Sequence, residues 1–157
     1  MPGDLHDQHV LVLGLGASGL AMARWCAGRG ARVTVADTRD EPPQLPALRE
    51  QLPQARFAPG AFDAALLGED VRLVLRSPGL APQQVAPVCD PARERGVRIG
   101  GELSLFAEAL AQLKADQDYA PQVLAVTGTN GKTTVTALTG QLIERAGKAV
   151  AVAGNIG

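Results

Sequence analysis

The chain has 157 residues, a net charge of −1 and an apolar fraction of 46%. That length allows one domain, or one domain and part of another, while the balanced charge and an aromatic content of only 3% give no electrostatic or stacking basis for binding nucleic acid. No run of about 18 apolar residues is present to cross a membrane, and residues 1–8 are polar and lack the apolar segment of a secretory leader. A cytoplasmic location is therefore expected, with Cys26 and Cys89 as free thiols, because they have no metal-ligand spacing. His6 and His9 read as solvent-facing bystanders and Trp25 as core.

Residues 10–13 (Val-Leu-Val-Leu) form the apolar run of a buried strand, closed by Gly14. A helix is expected over 20–27, ending near Gly28, then a second strand over 32–36 that finishes at Asp37. Strand, helix and strand in that order imply a parallel sheet. The proline-punctuated stretch 41–59 holds a short helix around 45–52 and a weak third strand at 56–58. Residues 71–75 form a firmer strand, stopped by Ser77-Pro78-Gly79, since proline cannot donate to a ladder. A helical stretch that includes 91–95 ends at Gly96, and 97–99 returns as a strand. Leu103, Phe106, Ala107, Leu110 and Leu113 recur at helical spacing over 102–113.

Residues 115–121 are polar, contain Pro121 and interrupt the pattern, so they read as a linker. The fold class is then α/β. A Rossmann-like parallel-sheet domain covers 1–114, and 122–157 is the opening of a P-loop ATP-binding domain, incomplete. That opening is expected as a strand at 123–126, a glycine loop, a helix over 135–146 and a strand at 149–152. A piece below roughly 40 residues is too small to bury a core of its own, and the acid that would hold a second Mg²⁺ position on a later strand does not follow.

The glycine loop of this second piece is Thr127-Gly128-Thr129-Asn130-Gly131-Lys132-Thr133, followed by Thr134. Backbone N–H groups at a helix start point at an anion, and the helix dipole favours negative charge there. Gly128 and Gly131 admit phosphate close to the backbone, Lys132 reaches the β/γ-phosphates, and the Thr133 hydroxyl is a Mg²⁺ ligand. Thr129, Asn130 and Thr134 either contact phosphate or complete the helix start. The usual loop carries a further glycine where Val126 stands here, so this is a shorter variant. An ordinary glycine turn before a helix is the bland alternative.

A second anion cradle lies earlier. Gly14-Leu15-Gly16-Ala17-Ser18-Gly19 matches G-x-G-x-x-G between a strand and a helix, with Asp37 about 20 residues on. Such a loop offers N–H groups to a diphosphate, and the acid accepts from a ribose hydroxyl or a base N–H. NAD and a UDP-sugar both fit that description. An ATP site one domain later favours the UDP-sugar, since a dehydrogenase has no use for it.

With both loops in view the chain resembles the Mur ligases of peptidoglycan synthesis, and among them the D-glutamate-adding members. The match rests on Gly14 to Gly19; Asp37-Thr38-Arg39; Ser77-Pro78-Gly79; Gly101-Glu102-Leu103-Ser104-Leu105-Phe106; Thr127 to Thr134; and Gly154-Asn155-Ile156-Gly157. The resemblance implies that Gly16, Ala17 and Ser18 lie at the uridine diphosphate. It implies that Asp37 accepts from uracil, Thr38 packs on the ring and Arg39 flanks it. Ser77 and Gly79 would line the same pocket, and Asn155 would reach the diphosphate.

It further implies an ATP- and Mg²⁺-dependent, monomeric ligase. That enzyme joins the carboxylate of UDP-N-acetylmuramoyl-L-alanine to D-glutamate through an acyl phosphate, with Lys132 catalytic and much of the machinery beyond Gly157. This chain alone would then be inactive. Two departures stand out: Arg72, where the strand often begins with an acid, and Arg76, where a small or apolar residue is commoner. A non-catalytic UDP-sugar-binding module, another Mur ligase and an NAD-dependent oxidoreductase remain as alternative readings.

Overall fold

A computed structural model describes residues 5–154. The chain divides into two units, Met1–Ala120 and Pro121–Gly157.

The first unit is a five-stranded, wholly parallel sheet with helices on both faces. Its elements are β1 (His9–Leu13), α1 (Ala17–Ala27), β2 (Arg32–Asp37), α2 (Leu45–Gln51), β3 (Arg56–Pro59), a 3₁₀ turn at Ala64–Leu66, β4 (Val71–Arg76), α3 (Pro82–Glu94), β5 (Arg98–Gly100) and α4 (Glu102–Gln117). The spatial order is β3-β2-β1-β4-β5. Chain direction across the sheet therefore reverses between β1 and β4, and their carboxyl ends flank the crevice where open α/β sheets hold ligands.

The apolar run of β1 is continuous because both faces of the strand are covered. Val10 and Val12 point to one side, among Met22, Ala23 and Cys26 of α1, Leu48 of α2 and Leu105 of α4. Leu11 and Leu13 point to the other, among Val85, Val88, Cys89 and Ala92 of α3. Cys26 and Cys89 thus lie in different cores, and both are free and buried. Burial pushes the Cys26 thiol up to about 12 even though Arg29 opposes it, which leaves it a packing group and not a nucleophile.

Several expectations are corrected in this unit. Helix α1 begins at Ala17, three residues before Leu20. Trp25 is 40% exposed and lies under the Arg29 guanidinium, 3.8 Å from the ring centroid; a cation over the indole face explains why it stays at the surface. His9 is no bystander: its Nδ1 lies 3.0 Å from Asp70 Oδ1, and its Nε2 lies 2.8 Å from the Thr34 hydroxyl. The ring ties the start of β1 to β2 and to the entry of β4. On β4, Val10 pairs with Leu73 while His9 pairs with Val71, so Arg72 is skipped by the ladder and its side chain is exposed. The unusual base at that position is accommodated by a bulge. Helix α4 runs on to Gln117 and closes with Asp118 in the left-handed conformation. It buries Leu105, whereas Leu103 and Phe106 of the expected apolar stripe are exposed.

In the second unit, α5 (Lys132–Arg145) follows the glycine loop. The strands expected at 123–126 and 149–152 do not form. A strand exists by pairing, and neither segment has a ladder partner among the described residues. Val123, Leu124, Val135, Leu138 and Leu142 are exposed, and Gly140 is the buried residue of α5. No helix among the described residues is long and apolar enough to cross a membrane.

Candidate functional site

The loop between β1 and α1 is held from three sides. Gly14 has φ +89° and its N–H donates to the Ala36 carbonyl at 2.7 Å. The buried Ser77 hydroxyl donates to the Gly14 carbonyl at 3.1 Å, and the Ser77 N–H continues the β1–β4 ladder to Leu13. On the β2 side the Leu15 N–H donates to Asp37 Oδ2 at 2.7 Å. Ser77 therefore braces the loop from beneath. Gly79, two residues on, is exposed, with nothing within 4 Å of where a Cβ would stand.

Gly16 caps α1 with no side-chain cap, and the first helical bond runs from Leu20 N–H to the Gly16 carbonyl. The N–H groups of Ala17, Ser18 and Gly19 have no intrahelical acceptor, so they form the donor face of an anion site at the carboxyl end of β1. A Cβ on Gly16 would meet nothing within 4 Å and its φ is −94°. Gly16→Ala is expected to change unfolding free energy by no more than about 0.5 kcal/mol. It should still weaken binding of a diphosphate at this helix start by roughly tenfold or more, because the methyl stands where phosphate would approach the backbone. Urea unfolding and calorimetry measure the two separately.

Asp37 ends β2 and is 3% exposed. Its Oδ1 accepts from the Arg39 N–H at 3.0 Å and from Arg39 Nε at 2.8 Å. Its Oδ2 accepts from Leu15 N–H and from Arg39 Nη2 at 2.8 Å. Burial alone would raise this carboxyl, but the Arg39 side chain and the two backbone donors outweigh it and bring it from 3.8 down to about 2. A depressed acid contributes stability above its unfolded value and loses it as pH falls through the folded one. Here that is about 2 kcal/mol, present at pH 7 and lost between about pH 4 and pH 2. Asp37→Asn is thus expected to unfold about 2 kcal/mol more easily at pH 7, with the gap narrowing as pH falls towards 2. A gap that does not depend on pH contradicts this. Thr38 and Arg39 are exposed beside the carboxylate.

The structure therefore brings Gly16, Ala17, Ser18, Asp37, Thr38, Arg39, Ser77 and Gly79 to one edge of one sheet. Two features escaped sequence reasoning. One is the Ser77–Gly14 brace, which joins residues 63 apart and leaves no local signal. The other is the complete occupation of Asp37 by its own chain, for which the Asp-x-Arg spacing is the available hint.

In the second unit Gly128 has φ +146°, and Gly131, with φ +73°, caps α5 with no side-chain cap. The Val135 N–H is the first to bond back, to the Gly131 carbonyl, so the N–H groups of Lys132, Thr133 and Thr134 are left for an anion. Lys132 Nζ folds over the loop and donates to the Gly128 carbonyl at 2.6 Å and, more weakly, to that of Thr129 at 3.4 Å. Thr129, Asn130, Thr133 and Thr134 are all exposed around it. Asn155 lies outside the described residues. No group of three or more His, Cys, Asp or Glu suited to a metal occurs among the described residues. Thr133 with phosphate oxygens and water would still suit Mg²⁺, which is commonly bound through few protein ligands.

Residues 8–101 match the sequence model of the Mur ligase MurD-like N-terminal domain. The chain belongs to that family. It is 71% identical over 154 residues to a UDP-N-acetylmuramoylalanine--D-glutamate ligase of Albidiferax ferrireducens, covering 98% of this chain and 30% of that protein. It is 63% identical to the enzyme of the same name from Ralstonia nicotianae, covering 99% of this chain and 32% of the relative. The chain thus spans about a third of the length of these relatives. Among solved structures, a UDP-N-acetylmuramate:L-alanyl-gamma-D-glutamyl-meso-diaminopimelate ligase from Neisseria meningitides superposes with a TM-score of 0.52 at 23% identity, over 90% of this chain and 40% of that one. At that identity the likeness speaks for the fold.

Proposed function

We infer that this chain is the nucleotide-sugar-gripping part of an ATP-dependent ligase that adds D-glutamate to UDP-N-acetylmuramoyl-L-alanine. The observation that carries the reading is the meeting of the uncapped Gly16 helix start with Asp37-Thr38-Arg39 at one sheet edge. It stands in a chain 71% identical to a relative of that name.

In this reading the N–H groups of Ala17 and Ser18, with the Ser18 hydroxyl, hold the diphosphate. Asp37, Thr38 and Arg39 receive the uracil, and Gly79 lines the pocket. The first unit does no chemistry: it grips a remote handle, and that binding energy positions the distant carboxylate.

The second unit supplies Gly128 to Thr134 for the phosphates of ATP. When it binds, Lys132 exchanges its two loop carbonyls for phosphate oxygens, and its charge offsets what builds on the group in transfer. Mg²⁺ would be held by the Thr133 hydroxyl and would supply further charge neutralisation. The substrate carboxylate attacks the γ-phosphorus, ADP leaves, and the amine of D-glutamate displaces phosphate from the acyl phosphate. The Mg²⁺-binding glutamate, the adenine pocket and the D-glutamate site are assigned to the remaining length of a protein the size of these relatives, acting as a monomer in the cytoplasm.

ADP release tests this directly. With UDP-N-acetylmuramoyl-L-alanine, D-glutamate, ATP and Mg²⁺, residues 1–157 should release none, and a polypeptide extended to the relatives' length should release one ADP per amide bond. Substrate-dependent ADP release by the 157 residues alone would overturn the division of labour.

A further inference from the structure

Arg76 stands where a small or apolar residue is commoner, and neither glycine loop uses it. It is the last residue of β4. Val74, two residues earlier, belongs to the core beneath α3, and side chains two apart on a strand share a face. Arg76 therefore projects on the α3 side of the sheet, past the end of that core. It is exposed, and among the described residues it makes no hydrogen bond or ion pair.

A cavity of about 340 Å³ opens at this place. Pro82, Ala86, Cys89 and Arg93 line it from one stripe of α3, since they recur at helical spacing, and Val85 and Asp90 flank the stripe. Val85 and Cys89 are buried and form an apolar floor. Asp90 and Arg93 are bonded to each other, so the acid is neutralised at the cavity's own rim. The charge left over is that of Arg76. Burial pushes the Cys89 thiol up, and Arg93 and Arg76 both oppose that shift, which sets both guanidinium charges over the same stretch of floor.

We propose that this cavity is an anion site for a small molecule that carries a carboxylate or phosphate group on an apolar body. Its volume falls in the range of small-molecule pockets and exceeds what a lone ion fills. The buried floor favours an apolar body. Arg76 offers five N–H donors with no partner in the chain, in a fork that matches either oxyanion, whereas a cation would meet an unopposed positive charge. None of the lining residues belongs to either glycine loop, so the site stands whether or not the first loop holds a nucleotide.

The test is titration of the 157-residue chain with phenyl phosphate and with benzoate, followed by NMR at the Val85 and Ala86 methyl signals. Those signals report this cavity alone, even if the same anions also reach the glycine loops. Inorganic phosphate, which has no body, and benzyl alcohol, which has no charge, are the comparison ligands. At least one of the two aromatic anions is expected to shift both methyl signals saturably, and the tighter of them names the anion. Inorganic phosphate and benzyl alcohol should each bind at least about tenfold more weakly. Arg76 and Arg93 are exposed, so Arg76→Gln and Arg93→Gln are expected to fold as the wild type does. Arg76→Gln should weaken the aromatic anion at least about tenfold at these signals, since a charge-assisted fork is lost. Arg93→Gln should weaken it too, because Asp90 is then left unneutralised beside the anion. No saturable shift at Val85 and Ala86 up to about 10 mM of either aromatic anion overturns the site. So does an affinity that Arg76→Gln leaves unchanged. Benzyl alcohol binding as tightly as the anions overturns the charge requirement, and with it the proposal.

Discussion

Gly19→Ala is expected to lose the cooperative unfolding transition of the first unit, or to weaken it by about 4 kcal/mol or more. A Cβ on Gly19 would stand 1.9 Å from the Gly14 carbonyl oxygen, 2.9 Å from its carbon and 3.2 Å from Ser77 Oγ. Backbone is the obstacle, and that backbone is pinned. The Gly14 N–H is committed to Ala36, and the Gly14 oxygen receives the Ser77 hydroxyl. Relief must come from α1 moving away, which withdraws Leu20, Met22, Ala23 and Cys26 from the core on that face of the sheet. Urea unfolding by circular dichroism measures the effect, and a loss below about 1 kcal/mol contradicts it. The contrast with Gly16→Ala is instructive. Two glycines of one fingerprint are three residues apart, yet packing requires one of them and leaves open space at the other.

Lys132→Ala is expected to lower kcat of the extended polypeptide by roughly a thousandfold, with little change in KM for the UDP-sugar, and to leave stability unaltered. Lys132 is exposed, and its bonds in the ligand-free loop go to two carbonyls that water can serve as well. Under the proposed function, its value arises when a phosphoryl group in transfer takes the place of those carbonyls. Lys132→Arg restores charge but not the compact ammonium, so it should recover only part of the rate. A Lys132→Ala enzyme that keeps more than about a tenth of wild-type kcat would show that the phosphoryl charge is met elsewhere.

The sheet of the first unit was legible because its signals are local. Val10 to Leu13 alternate between two buried faces, so an unbroken apolar run was enough to place β1. Pro78 and Gly79 stopped β4 where the structure stops it. The start of α1 was not legible, since Gly16 caps it without a polar side chain. Segments 123–126 and 149–152 carry strand-like composition, but pairing is a property of neighbours that composition does not contain. His9 and Trp25 were misjudged because their partners are set by the fold: Thr34 comes from β2 and Asp70 from just before β4, and Arg29 lies just past the end of α1.

At the carboxyl ends of β1 and β2, sequence spacing named the loop and the acid together. What it could not name was that Asp37 is already saturated by Leu15 and Arg39, because that depends on how one guanidinium is turned. The glycine fingerprint is shared between dinucleotide and UDP-sugar readings.

The first unit is proposed to grip a uridine nucleotide sugar. The most direct measurement is calorimetric titration of this chain with UDP-N-acetylmuramoyl-L-alanine, with NADH as the comparison ligand. Saturable binding of the UDP-sugar with no heat from NADH is the predicted result; saturable binding of NADH with none of the UDP-sugar would contradict the account.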